Sequence, residues 1–157
     1  INPGLVLGDF LNEKSCTSME YIKQLLQGKY PAAPKFSVMI SHVKDIAKAH
    51  VLSLNNKKAE GRRLIVGSET RSILELSKIM AENIPSHSKK LPKKELPNFM
   101  VKLISYLDSS AKNLVPDLGL KMETDTKYAE EILQMKFIEP EVSVVDAAKS
   151  VIRLNLA

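Results

Sequence analysis

The sequence predicts an α/β fold in which part of a sheet is parallel. Two observations carry this. Short β-branched stretches alternate with helix-length amphipathic stretches along the chain, in the order β-α-β-α-β-α followed by further helices. Two of the amphipathic stretches also open on a capping-box pattern, and one of these closes on glycine. The 157 residues suit one domain, and 44% hydrophobic with 26% charged residues supplies a core without departing from ordinary globular composition.

The elements follow in order. Residues 1–7, INPGLVL, read as a buried strand running into a loop at Gly8. A buried strand needs neighbours, so an opening of this kind reads as the second half of something longer. TSMEYIKQLLQG carries a capping-box pattern, Thr17 with Glu20, and places Met19, Ile22, Leu25 and Leu26 on one face before Gly28. KFSVMI is a short strand. VKDIAKAHVLSLNN is a helix with Ile46, Ala47, His50, Val51 and Leu54 on one side, and EGRRLIVG is a turn and a strand. SILELSKIMAEN repeats the capping box with Ser72 and Glu75 and buries Leu76, Ile79 and Met80. ELPNFMVKLISYL has the cleanest helical stripe: Leu96, Phe99, Met100, Leu103, Ile104 and Leu107, a core face or a pocket wall. A loop around Pro116 and Gly119 precedes a helix capped by Asp125 and running through Ile132 and Leu133. EVSVVDAAKSVIRLNL is the last helix.

Several chemistries are excluded. The net charge of +5 is concentrated at Lys89, Lys90, Lys93 and Lys94, a proline-containing loop without the aromatic side chains that stack on bases, so no nucleic acid is expected. No run approaches the roughly 20 apolar residues that span a bilayer, and a signal peptide is not evident. One cysteine, Cys16, precludes an intrachain disulfide and fits a reducing compartment, so a cytoplasmic location is expected. His42, His50 and His87 have no metal-like spacing with Cys16 or with carboxylates, and no metal is expected. His50 reads as a core histidine, and Cys16 as a neighbour of a helix N-terminus. There is no glycine-rich phosphate loop and no nucleophile elbow. On the residues alone, the chain is an α/β domain without a self-contained active site.

In order and spacing, INPGLVLGDFL, SCTSMEYIKQLL, VKDIAKAHVLSL, AEGRRLIVG, ELPNFMVKL and TDTKYAEEIL resemble the C-terminal half of the extended short-chain dehydrogenase/reductase family. Within it, the chain is most similar to the dihydroflavonol reductase and aldehyde reductase branch, often labelled NAD-dependent epimerase/dehydratase. The resemblance runs over essentially all of the chain. It implies the C-terminal part of a Rossmann-like parallel sheet with a mostly helical substrate-binding subdomain. Residues 1–157 then form one fragment, with the last Rossmann strands near 1–8 and 62–67 and substrate-binding parts near 15–55 and 85–157.

Such enzymes use a Y-x-x-x-K pair for proton transfer. Here none of Tyr21, Tyr30, Tyr106 and Tyr128 has lysine four residues on, so no catalytic residue is assigned. The resemblance places the nicotinamide carboxamide of NAD or NADP against Pro3, with backbone groups of Gly4 and Leu5 beside it, and the cofactor's phosphate region near Ser18. For Ser18 a simple N-cap stays equally open. Ser41 and His42 stand where the family often has Val-Asp, which removes any polar role of that aspartate. Residues 95–107 would belong to the substrate lid. The parent would reduce an aldehyde or ketone with NAD(P)H, while this chain alone would bind neither nucleotide tightly and catalyse nothing. The expected partners are a small carbonyl substrate and, through the open sheet edge, an N-terminal half or a second copy. The alternative is a non-catalytic interaction module or decayed gene product derived from such an enzyme.

Overall fold

A computed structural model describes residues 1–14, 16–106, 115–120 and 122–157. Its strands are β1 (Asn2–Pro3), β2 (Leu5–Leu7), β3 (Ala33–Pro34), β4 (Ser37–His42), β5 (Ile65–Val66), β6 (Thr70–Ser72) and β7 (Glu95–Leu96). The described helices are α1 (Thr17–Leu26), α2 (Val43–Leu54), α3 (Ile73–Asn83), α4 (Asn98–Ile104), α5 (Lys127–Leu133) and α6 (Pro140–Arg153). The mixed α/β class is as the sequence indicates. None of these helices is long and apolar enough to cross a membrane.

Residues 1–7 are not one strand. The chain bends at Gly4 and changes partner there: Asn2 and Pro3 pair in parallel with Ile65 and Val66 of the RLIVG stretch. Leu5, Val6 and Leu7 pair in parallel with Ile40, Ser41 and His42 of β4 instead. β4 is central in the order β2-β4-β6 and is antiparallel to β6, so β2 is an edge strand. Burial follows the bend, with Asn2 and Pro3 exposed and Leu7 buried.

The main core lies between the β2-β4-β6 sheet and helices α1, α3 and α6. It contains Met19, Ile22, Leu25 and Leu26 from α1 and Leu76, Ile79 and Met80 from α3, all on the faces that the helical spacing indicates. A smaller cluster of Ala49, Leu64, Val66, Ala129, Leu133 and Met135 joins α2 and α5 to β5. Gly28, at φ 75°, terminates α1 in the left-handed region that favours glycine.

The capping signals divide. α3 has the full box: the Ser72 hydroxyl accepts from the Glu75 N–H at 3.2 Å, and the Glu75 carboxylate accepts from the Ser72 N–H at 2.7 Å. The same signal fails at α1. Cys16 holds the N-cap position without a side-chain bond, Thr17 lies inside the helix, and Glu20 accepts from the Gln24 amide at 2.8 Å. At α5 the N-cap is Thr126, while Asp125 caps from one residue earlier by accepting from the Lys127 N–H at 3.0 Å.

The Ser72 hydroxyl bond, followed by the Ser72 backbone bond, holds Glu75 below its ordinary carboxyl value of 4.5. A carboxylate of lowered pKa stabilises the fold above that ordinary value, and the contribution disappears as pH falls through the folded value. Ser72→Ala is expected to cost about 1 kcal/mol at neutral pH. In urea titrations, the gap between the native chain and Glu75→Gln should shrink below pH 4.5. A gap that widens on acidification would refute this account of the cap.

Two apolar faces lie opposite to expectation. On α2 the buried residues are Asp45 and Ala49, whereas Ala47, His50, Val51 and Leu54 are exposed. His50 is therefore no core histidine; its Nδ1 is 2.8 Å from the Ile46 carbonyl on the helix surface. The reason is Asp45, whose carboxylate accepts from the Ile138 N–H at 2.7 Å and ties that face of α2 to the segment before α6. On α4, Val101 is buried, while Phe99, Met100, Leu103 and Ile104 are exposed. β7, paired with β3, fixes the entry of α4 and so which side turns inward. Leu107 lies outside the described residues.

Candidate functional site

The start of α1 separates two cavities. The larger, about 630 Å³, is floored by Leu5, Phe36, Val38 and Ile73 and walled by Thr17, Glu20, Tyr21 and Gln24 of α1. The smaller, about 400 Å³, lies between residues 6–10, Ser18 and Val43. Cys16 and Thr17 line both, and Cys16 is exposed. The arrangement follows from the sheet order. β2 is at the edge, so the face of α1 that leans over it meets no further strand among the described residues.

The walls of the larger cavity carry a polar chain. The Tyr30 hydroxyl donates to Gln24, and the Gln24 amide donates to Glu20. That amide bond is the main cause that holds the Glu20 carboxyl below its ordinary value. The Tyr21 hydroxyl is buried and has no hydrogen-bond partner among the described residues. Burial raises its pKa, so the phenol is a protonated donor at neutral pH. An apolar floor with a polar rim can hold a flat, weakly polar ligand.

His42 lies beside Gly8, a lining residue of the smaller cavity. The histidine is 1% exposed. Its Nδ1 accepts from the Lys44 N–H at 3.1 Å, capping α2, and its Nε2 lies 3.5 Å from an Asp146 carboxylate oxygen. Nδ1 as acceptor places the neutral ring's proton on Nε2, facing Asp146. A Cβ on Gly8 would come within 3.2 Å of the ring and 2.8 Å of Val43, and φ is 130° there, so only glycine passes easily.

Leu5 lines the larger cavity and Ser18 the smaller. Ser18 is the second residue of α1, so the N-cap role passes to Cys16. Pro3 is exposed in β1, and Gly4 forms the bend; neither lines the two cavities. The Gly4 N–H is already engaged, donating to the Ser41 hydroxyl at 2.9 Å. Of the backbone groups around the expected carboxamide position, that one is taken.

Sequence reasoning missed Ser41, Tyr21 and the His42–Asp146 pair. Tyr21 was visible only as a tyrosine without its lysine. Gly4 and Ser41 are 37 residues apart, and no local pattern joins them.

No protein-family model matches the chain. Among curated proteins it is similar to tetraketide alpha-pyrone reductase 2 of Arabidopsis thaliana, 30% identical over 87 residues, which is 55% of this chain and 27% of that protein. It is also similar to cinnamoyl-CoA reductase CAD2 of Medicago truncatula, 35% identical over 86 residues, covering 55% and 26%. Among solved structures, yeast methylglyoxal/isovaleraldehyde reductase Gre2 complexed with NADPH superposes with a TM-score of 0.71 at 20% identity, over 98% of this chain and 42% of that one. A nucleoside-diphosphate-sugar epimerase from Pseudomonas aeruginosa gives 0.76 at 16% identity, over 98% and 47%. The aligned region thus spans about a quarter of each plant reductase and less than half of each solved chain. The resemblance read from the motif order holds in sequence over 55% of the chain and in fold over nearly all of it.

Proposed function

We propose that this chain, a partial-length relative of short-chain reductases and epimerases, is the substrate-side part of an NAD(P)-dependent reductase of aldehydes or ketones. One observation carries the reading most strongly: nearly the whole chain superposes on less than half of an NADPH-complexed carbonyl reductase. On this reading, the larger cavity is the wall of the carbonyl-substrate pocket, with Tyr21 among its lining residues. The smaller cavity, with Ser18 at its rim, faces the cofactor's phosphate region, and the Pro3–Gly4–Leu5 bend faces the nicotinamide. NAD(P)H would supply the hydride. No residue here is assigned the proton transfer, so the chain alone is inactive, and the remainder of the site comes from a dinucleotide-binding half.

The test is a chimera in which this chain replaces the corresponding segment of the yeast reductase. Carbonyl-dependent NADPH oxidation is expected from the chimera, and from the isolated chain neither turnover nor micromolar nucleotide affinity by calorimetry. A folded chimera that holds NADPH but reduces none of a panel of aliphatic and aromatic aldehydes and ketones would overturn the proposal.

A second reading, a non-catalytic interaction module, draws on the edge strand β2 and on exposed Val51, Leu54, Phe99 and Leu103. Unpaired edges and exposed apolar side chains favour association, with a second copy or with an N-terminal half. The module reading gains if the chimera is inactive while the chain alone forms a stable pair in sedimentation.

A further inference from the structure

The change of strand partner at Gly4 poses a hydrogen-bonding problem. Where a chain leaves one ladder for another, a backbone group at the junction is left between partners. Here that group is the Gly4 N–H, and Ser41 resolves it. The Ser41 side chain is fully buried; its hydroxyl accepts from the Gly4 N–H at 2.9 Å and donates to the Val66 carbonyl at 2.8 Å. One oxygen thus ties the bend to β4 and to the end of β5. The surroundings leave it little freedom. A Cβ on Gly4 would sit 2.1 Å from the Met39 carbonyl oxygen, and one on Gly67 would sit 2.8 Å from the Ser41 hydroxyl.

The peptide joining Pro3 to Gly4 is trans, as are all in the described chain. In a trans peptide the carbonyl points opposite to the N–H of the next residue. With the Gly4 N–H held toward Ser41, the Pro3 carbonyl is turned away from Ser41 and β4.

We propose that Ser41 is a positioning residue: its buried hydroxyl sets the plane of the Pro3–Gly4 peptide, and with it the direction in which the bend presents its carbonyl to a nicotinamide carboxamide. The second part rests on the cofactor placement proposed above, and the first does not. Without the hydroxyl, the Gly4 N–H and the Val66 carbonyl lose a shared partner, and the peptide is free to rotate. A donor–acceptor pair is required, so valine or alanine does not substitute, whereas threonine retains both functions.

The experiment uses the full chain labelled with ¹⁵N. In Ser41→Ala, exchange of the Gly4 amide should accelerate at least tenfold relative to native, while amides of the β4–β6 ladder stay within about twofold. Ser41→Thr should restore native exchange at Gly4. Should Ser41→Ala fail to fold, Ser41→Cys keeps the volume with a weaker donor and is expected to give an intermediate rate. Unchanged Gly4 exchange in a folded Ser41→Ala or Ser41→Cys chain would overturn the positioning role. Nicotinamide mononucleotide at millimolar concentration then probes the second part. It should shift Gly4, Leu5 and Ser18 amides in the native chain. In Ser41→Ala the Gly4 and Leu5 shifts should weaken at least fivefold with Ser18 unaffected, which a general loss of stability would not produce. No shift in the native chain would overturn the cofactor placement and leave the exchange result to decide the positioning role. Equal weakening at Gly4 and Ser18 would reduce Ser41 to a structural role.

Discussion

Gly4→Val is expected to destabilise the fold by about 3 kcal/mol or more, the upper end of what overpacking a close contact produces. The resemblance alone suggests that a bulky residue here would exclude the flat ring of a nicotinamide. The structure supplies a prior obstacle. An added Cβ would lie 2.1 Å from the Met39 carbonyl oxygen and 2.9 Å from the Met39 Cβ. The first of these is backbone and cannot swing aside, so β2 must separate from β4 or the bend must open. Either movement also breaks the Gly4–Ser41–Val66 connection. Urea unfolding followed by circular dichroism measures the loss, and a change below about 0.5 kcal/mol would show that β2 and β4 are not in register as described. Any effect of Gly4→Val on cofactor affinity is interpretable only after this loss has been measured.

Ile22→Ala is the second large effect, expected at about 2–5 kcal/mol. Ile22 is fully buried at the centre of α1, within the cluster that also holds residues of α3 and α6. Truncation leaves a cavity among three helices that cannot all close at once. The control is Leu54→Ala on α2. Leu54 is 80% exposed, so its truncation should stay within about 0.5 kcal/mol. The pair separates two residues that look alike in sequence, since each lies on an apolar helical stripe. Comparable losses at both positions would mean that α2 packs differently from the description above.

That contrast also shows what was legible in the sequence. α1 and α3 each have a single apolar stripe with polar residues elsewhere, so periodicity alone identifies the buried face. α2 fails because a buried Asp45 competes with the apolar stripe, and its acceptor role depends on Ile138, 93 residues distant. α4 fails because seven residues are too few for periodicity to outweigh the way β7 sets the helix down. The same limit governs the site. Leu5 and Ser18 each line a cavity, and the motif order alone picks them out. Ser41 and the His42–Asp146 contact depend on long-range pairing, which no local spacing encodes. The capping box illustrates the point in miniature: the same four-residue pattern forms at Ser72 and not at Thr17, because the start of α1 is shifted by one residue to Cys16.

Cys16 has one more consequence. It is the sole thiol of the chain, it is exposed, and it stands on the ridge between the two cavities. Maleimide chemistry at neutral pH therefore places a fluorophore at one defined point without engineering away competing cysteines. A dye on that ridge is beside whatever enters either cavity, and its emission and anisotropy become a titration signal for candidate ligands with no turnover required.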